Sequence, residues 1–241
     1  MKLQTISVTG IEGAVIGIRL PMCKNLEEAY QKSDSNEENI GADDILLCKK
    51  LIKADENNSG QPNSKFLRMI HVQVSITAPL YYYKELDTYK IATVSNSTST
   101  MHKLADTPIT KECFEMDDFE EKLDLFYKGG REVLDRYWNN LIEHLEGLRN
   151  FYNKVMENKK YLEEIKEFDE AKKAQVMAKK YWKELIRLLP ESWLQTRMFD
   201  CDYATLRNIY RQRKNHKLSE WHTFCDWVKT LPYANDLICE D

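Results

Sequence analysis

Two stretches of this sequence gather side chains able to hold a charged, ring-bearing small molecule. The first, Ala78–Leu104, reads APLYYYKELDTYKIATVSNSTSTMHKL. Hydroxyls, an amide and backbone donors crowd its Ser/Thr/Asn-rich end, with Lys84, Lys90 and His102 as cationic or titratable companions. Such a set can grip a phosphate, and the same composition also suits a polar turn between elements. The second, Leu185–Trp221, carries Arg187, Arg197, Arg207, Arg211 and Arg213, followed by Lys214, His216 and Lys217. Arginine's planar fork binds a phosphate or a pyrimidine carbonyl in a defined orientation. On a helix Arg207 and Arg211 share a face while Arg213 points elsewhere, so these cations cannot all meet one ligand. A solvated basic face near a helix C-terminus accounts for them equally well. A third, weaker signal is Ser64–Arg68, SKFLR, which sets a lysine and an arginine at the mouth of a long strand.

The elements that must position these groups follow from periodicity. Leu3–Val8 alternates as a strand, whereas Gly13–Leu20 is apolar but too short to type, ending at Pro21. After the polar run Lys32–Asn39, Ile45, Leu46, Cys48, Leu51 and Ile52 form a helical stripe whose N-terminus suits Asp43 and Asp44. Glu56–Ser64 reads as a surface loop. In KFLRMIHVQVSIT, Phe66, Ile70, Val72, Val74 and Ile76 fall on one side, predicting a long, central strand. Pro79 ends it and opens a helix that runs from Leu80 to Lys90, before a Ser/Thr-rich loop, TVSNSTST. From Phe119 to Leu189 helix formers dominate, broken at Gly129 and Gly130 and again near Glu157–Lys160. Within that half, the stripe from Leu134 to Leu148 reads as core or subunit contact. Pro190 breaks the pattern, and two helices follow over Tyr203–Arg213 and Leu218–Thr230. There is no internal repeat.

Composition bounds the function. The 241 residues suffice for one substantial core, so a single α+β domain is the expectation. With 42% hydrophobic and 31% charged residues the balance is globular, and no apolar run reaches membrane-spanning length. The first ten residues, MKLQTISVTG, lack a secretion-signal pattern, which predicts a cytoplasmic protein. A net charge of −4 argues against a nucleic-acid polymer as partner while leaving room for one nucleotide. The six cysteines show no CxxC pair and no histidine at zinc-ligand spacing, so they read as reduced thiols without a metal.

The order of these pieces resembles the flavin-dependent thymidylate synthases over roughly residues 40–238. A helix after a central strand runs into a basic and Ser-rich motif, then come a helical hairpin, an LP dipeptide and an arginine before a last helix. That family's signature is Arg-His-Arg, two variable positions, Ser, and a later Ser-x-Arg, with Asn-Glu commonly between. Here Thr88, Tyr89 and Lys90 align with Arg-His-Arg, Thr93 with the first serine, Asn96 and Ser97 with Asn-Glu, Ser99 with the second serine and Met101 with the last arginine, allowing one insertion. Both outer arginines and the glutamate are therefore replaced. Glu85 stands near a common glutamine, Leu189 and Pro190 match the LP, and Arg187 lies within one position of the phosphate-binding arginine. Asp202 falls where an asparagine near the flavin is common, and Arg213, with Leu218 after it, resembles the pyrimidine-contacting arginine.

The resemblance implies a central antiparallel or mixed sheet with a long helical half, and a homotetramer. It implies reductive methylation of dUMP with FAD, NADPH and methylenetetrahydrofolate, or a catalytically silent nucleotide-binding protein on the same fold. It assigns Lys90, Thr93, Asn96 and Asp202 to the cofactor and Glu85, Ser97, Ser99, Arg187 and Arg213 to the substrate, with the loop at Asn96 and the Arg213 guanidinium meeting across one cavity.

Overall fold

The computed structural model describes residues 1–36, 39–57, 63–116 and 129–240. The chain groups into two compact units, Met1–Thr77 with Tyr82–Ser97 and Thr196–Asp241, and Ala78–Tyr81 with Thr98–Gln195.

The first unit is built on a four-stranded antiparallel sheet of order β1-β2-β4-β3, an α+β architecture as expected. Strand β1 (Lys2–Thr9) pairs with β2 (His71–Pro79) from Lys2↔Thr77 to Thr9↔His71, with one irregularity between Thr5 and Ser7. Inward-facing Val72, Val74 and Ile76 of β2 are fully buried, as period-two alternation requires. The strand is internal, as expected, but starts at His71 rather than at Lys65. Residues Asn63–Met69 form a 3-10 turn instead. The Asp55 carboxylate accepts the Asn63 and Ser64 backbone N–H groups at 2.6 and 2.7 Å and so starts the turn. Neighbouring Phe66 and Leu67 are both buried there, which a strand cannot arrange.

Helix α1 (Ile11–Arg19) follows β1 through Gly10 at φ 86°. A Cβ at Gly10 would lie 2.0 Å from the Met69 carbonyl oxygen, so the turn admits only glycine. The ambiguous apolar segment is thus helical, burying Ala14, Val15, Ile16 and Ile18. After the short α2 (Leu26–Lys32) comes α3 (Ala42–Asn57), whose first turn is capped from a distance by the Asp34 carboxylate, accepting from the Asp43 and Asp44 N–H groups at 2.9 and 3.0 Å. Asp44 itself is fully buried and accepts from Arg19 Nε, Ser33 Oγ and Ser35 Oγ at 2.5, 2.5 and 2.6 Å. Its role is an ionic knot joining α1, the Ser33–Ser35 segment and α3, beyond the dipole effect that the sequence suggests.

Helix α4 (Leu80–Leu86) stops four residues short of the expected Lys90. The Thr88 hydroxyl donates to the Glu85 carbonyl at 2.7 Å and the Tyr89 N–H to that of Leu86 at 3.0 Å, folding the chain back. The Ser/Thr-rich segment is then a strand rather than a loop: β3 (Thr93–Ser97) pairs with β4 (Leu194–Asp202) from Thr93↔Cys201 to Ser97↔Arg197. The ladder offered by β4, itself absent from the sequence reading, overrides the turn preference of Ser and Asn. Helices α8 (Tyr203–Arg213) and α9 (Ser219–Lys229) lie where periodicity puts them, and α10 (Ala234–Leu237) follows.

In the second unit, α5 (Thr100–Lys103) precedes a hairpin of α6 (Gly130–Glu164) and α7 (Phe168–Leu188). The helical break lies at Ile165–Glu167, not near Glu157–Lys160, and Lys166 takes φ 66° there. Leu145 and Leu185 are fully buried with Leu104, Ile109 and Phe114, while Trp138, Leu141, Ile142 and Leu148 pack around them, so the stripe from Trp138 to Leu148 is core, whereas Tyr137 is exposed. The part of the helical expectation over residues 119–128 falls outside the described residues.

Burial lifts the Asp44 carboxyl, but the hydrogen bonds from Ser33, Ser35 and Arg19 outweigh it, and the group ionises below its ordinary value of 3.8. Its contribution is complete above that pH and is lost as pH falls through the folded value. Asp44→Ala is expected to cost about 3 kcal/mol at neutral pH, because Arg19 loses its carboxylate, and Asp44→Asn should flatten the decline of Tm below about pH 4. Urea melts and a Tm–pH series check both.

Candidate nucleotide-binding site

A cavity of about 520 Å³ opens in the first unit, within the range of small-molecule sites. Its walls come from Arg68 and His71 beside the start of β2, from the turn Thr88–Ala92, and from Asp202, Ala204, Thr205 and Asn208 at the start of α8. The turn is fixed at both ends. Ala92 takes φ 53°, a left-handed conformation that a non-glycine residue adopts only under constraint. The Thr93 hydroxyl donates to the Tyr89 carbonyl at 2.7 Å, and the Thr205 hydroxyl to that of Ile91 at 3.0 Å. Asp202, 2% exposed, caps α8 by accepting the Thr205 N–H at 2.7 Å.

Behind the turn lies a charged knot. Glu85 Oε2 accepts from Arg213 Nη1 and from Trp221 Nε1, each at 2.8 Å, with His216 Nε2 at 3.4 Å. Arg213 Nε donates to the Tyr89 hydroxyl at 2.8 Å, and that hydroxyl donates to Gln212 Oε1 at 2.9 Å. The Arg213 guanidinium rests 4.8 Å from the Trp221 ring centre, and its Nη2 makes no hydrogen bond among the described residues. Tyr89 is the link: it lines the cavity while its hydroxyl holds Arg213.

The structure therefore brings four of the signature-related residues together, Thr88, Tyr89, Lys90 and Asp202, and sets Glu85 and Arg213 directly behind them. Within one chain Asn96 does not line this cavity; its expected meeting with Arg213 would need a second copy of the chain. Asn96 and Ser97 stand exposed on β3, the edge strand, and neither lines the cavity, because β3 runs away from the turn along β4. Ser99 and Arg187 belong to the second unit, where Arg187 is exposed and pairs with Glu184 at 3.2 Å. The side chains of Met101 and His102 lie outside the described part. Other cations of the basic stretch are structural: Arg197 lies 3.8 Å over the Tyr83 ring and binds Asp87 at 2.9 Å, and buried Arg207 donates to the Ile238 carbonyl at 3.1 Å. His71, Thr205 and Asn208 escaped sequence reading. The available signal was position, since Thr205 and Asn208 lie one helical turn apart just after Asp202.

No family model and no curated protein matches the chain. Solved structures do. The Helicobacter pylori flavin-dependent thymidylate synthase ThyX complexed with FAD and dUMP aligns with a TM-score of 0.58 and 17% identity, covering 100% of this chain and 99% of that one. A second structure of that enzyme with FAD and dUMP gives 0.59 and 17%, covering 100% and 98%. The chain has the flavin-dependent thymidylate synthase fold. A UMP/dUMP methylase, PolB from Streptomyces cacaoi, bound with 5-Br dUMP, shares it at a TM-score of 0.57 and 12% identity over 98% and 93% of the two chains.

On this fold the turn that carries Thr88–Lys90 owes its shape to side chain–backbone bonds. Thr93→Val, which keeps the side-chain volume but removes the hydroxyl, is expected to lower stability by about 1 kcal/mol and to speed amide exchange in residues 89–92. Urea unfolding and hydrogen exchange measure the two effects.

Proposed function

We propose that the protein is a flavin-dependent enzyme that methylates a pyrimidine nucleotide such as dUMP, drawing carbon from methylenetetrahydrofolate and hydride, through FAD, from NADPH. The observation that carries this reading is that the turn at the signature position, within a fold shared over the whole chain, forms a wall of the cavity. The residues present fit a nucleotide cofactor: an aromatic residue, Tyr89, in the turn, the Asn208 amide on α8, and cationic groups at Arg68 and Lys90. FAD, when bound, supplies the hydride chemistry. The chain's own task is positioning. Lys90, Thr93 and Asp202 shape the cofactor cavity, and Arg213, held by Glu85 and Tyr89, has Nη2 for a uracil carbonyl. Asn96, Ser97 and Ser99 would act from another copy of the chain in a homotetramer, with Arg187 toward the substrate phosphate. Exposed apolar side chains on the helical hairpin, including Val133, Tyr137, Phe168 and Val176, support such assembly. A cytoplasmic location accords with this role, and no described helix is long and apolar enough to cross a membrane.

A second reading has its own observation. Glu85 stands near the position where the resembled family commonly carries a neutral glutamine, and it compensates the charge of Arg213, while Thr88 and Tyr89 align with an arginine and a histidine of that family's signature. That pattern suits a nucleotide-binding protein that has lost turnover. Calorimetry with FAD and with dUMP, together with an assay for thymidylate, separates the cases. The enzyme reading expects both ligands to bind and product to form; binding without product selects the second reading, and binding of neither contradicts both. Arg213→Lys, which keeps a cation for Glu85 but loses the fork and the Tyr89 bond, is expected to lower Tm modestly and to weaken dUMP binding about tenfold in calorimetry run well below that Tm.

A further inference from the structure

The resemblance leaves a gap at its most charged point: where two arginines and a histidine stand in the signature, this chain offers Thr88, Tyr89 and Lys90. The Thr88 hydroxyl is turned back onto the Glu85 carbonyl and the Tyr89 hydroxyl onto Gln212, so neither replaces a cation in the cavity. We propose that Arg68 supplies the missing guanidinium, forming with Lys90 a binding pair for the diphosphate of a dinucleotide cofactor. This rests on the reading of the cavity as a nucleotide site.

Arg68 comes from a different part of the chain, the 3-10 turn Asn63–Met69, yet lines the same cavity as Lys90. Its backbone is held on both sides. Phe66 and Leu67 before it are 3% and 1% exposed, and Ile70 after it is fully buried, with its carbonyl accepting the Tyr203 N–H at 3.0 Å. The turn itself starts on Asp55. The Arg68 side chain therefore departs from a fixed point at the rim.

Neither Arg68 nor Lys90 has a hydrogen-bond or carboxylate partner among the described residues. For an arginine this contrasts with Arg19, Arg149, Arg187, Arg197, Arg207 and Arg213, each held by a carboxylate or a carbonyl. The acidic groups nearby are already engaged. Asp202 caps α8 through the Thr205 N–H, and Asp200 faces His71 Nδ1 at 3.3 Å. The cavity thus presents two cations with no direct carboxylate partner among the described residues, one a planar fork suited to bidentate phosphate and the other a point charge. Asn208 adds an amide: its Oδ1 accepts from Gln212 at 2.8 Å, leaving Nδ2 as a donor. Two cations and an amide, with Tyr89 in the same lining, match a nucleoside diphosphate better than a single carboxylate.

The test uses the full-length protein, Arg68→Gln and Lys90→Gln, each titrated with FAD, ADP and riboflavin by calorimetry. Both side chains are exposed, and unchanged circular-dichroism melts establish that the variants fold. Each variant is expected to lose affinity for FAD and for ADP about tenfold or more, while riboflavin, which lacks phosphate, binds as to the parent. Parent-level FAD and ADP affinity in Arg68→Gln overturns the assignment and leaves the flavin reading standing. An equal loss for riboflavin also overturns it. ADP binding that depends on Arg68, without FAD binding, supports the phosphate pair and removes the flavin reading. Failure of the parent protein to bind FAD or ADP removes both.

Discussion

One carboxylate oxygen organises the site. Glu85 Oε2, at the C-terminal end of α4, takes hydrogen bonds from Arg213 on α8 and Trp221 on α9, with His216 beside it. Two consecutive helices far along the chain are thereby tied to the point where it leaves α4 and turns toward the cavity. Because Arg213 also donates to Tyr89, the same knot fixes a residue that lines the cavity. The pair is partly shielded, with side-chain exposures of 19% for Arg213 and 33% for Glu85, and it lies against the Trp221 face. An ion pair so placed is weakened less by solvent than one on an open surface, and losing either member strands the other.

The knot also sets what the site can do chemically. A neutral glutamine near position 85 would leave Arg213 with its full charge; the carboxylate compensates that charge and holds Nη1, while the Tyr89 hydroxyl holds Nε. What remains for a ligand is one nitrogen of the fork and the cations at the cavity rim. The binding of a nucleotide would then depend less on the signature residues themselves than on groups brought in from elsewhere, Arg68 foremost.

Much of the fold was legible in the sequence because apolar periodicity is strong where burial is strong. The stripe around Leu145, the alternation of Val72, Val74 and Ile76, and the two helices after Asp202 all followed from it. What failed was local chemistry that depends on partners distant in sequence. The Ser/Thr-rich segment is a strand because β4 pairs with it, and β4 itself, LQTRMFDCD, carries too many polar residues to announce a strand. The 3-10 turn before β2 depends on Asp55, ten residues earlier than Lys65, and neighbouring Phe66 and Leu67 mimic alternation when only one of them is counted. At the site, residue types were legible but convergence was not. Arg213 could be singled out, yet that its fork would be claimed by Glu85 and Tyr89 is a tertiary fact, and so is the separation of Asn96 on its edge strand. Arg68 looked incidental in SKFLR because nothing in the chain near it reveals the cavity it lines.

The claim that the Glu85–Arg213 contact holds the cavity wall is tested most directly by a double-mutant cycle of Glu85→Ala, Arg213→Ala and the pair, measured by urea unfolding. The account predicts a favourable coupling of about 1–3 kcal/mol, with the double variant far less destabilised than the sum of the singles. Additive losses within about 0.5 kcal/mol would contradict it, showing two independent side chains where the structure has one knot.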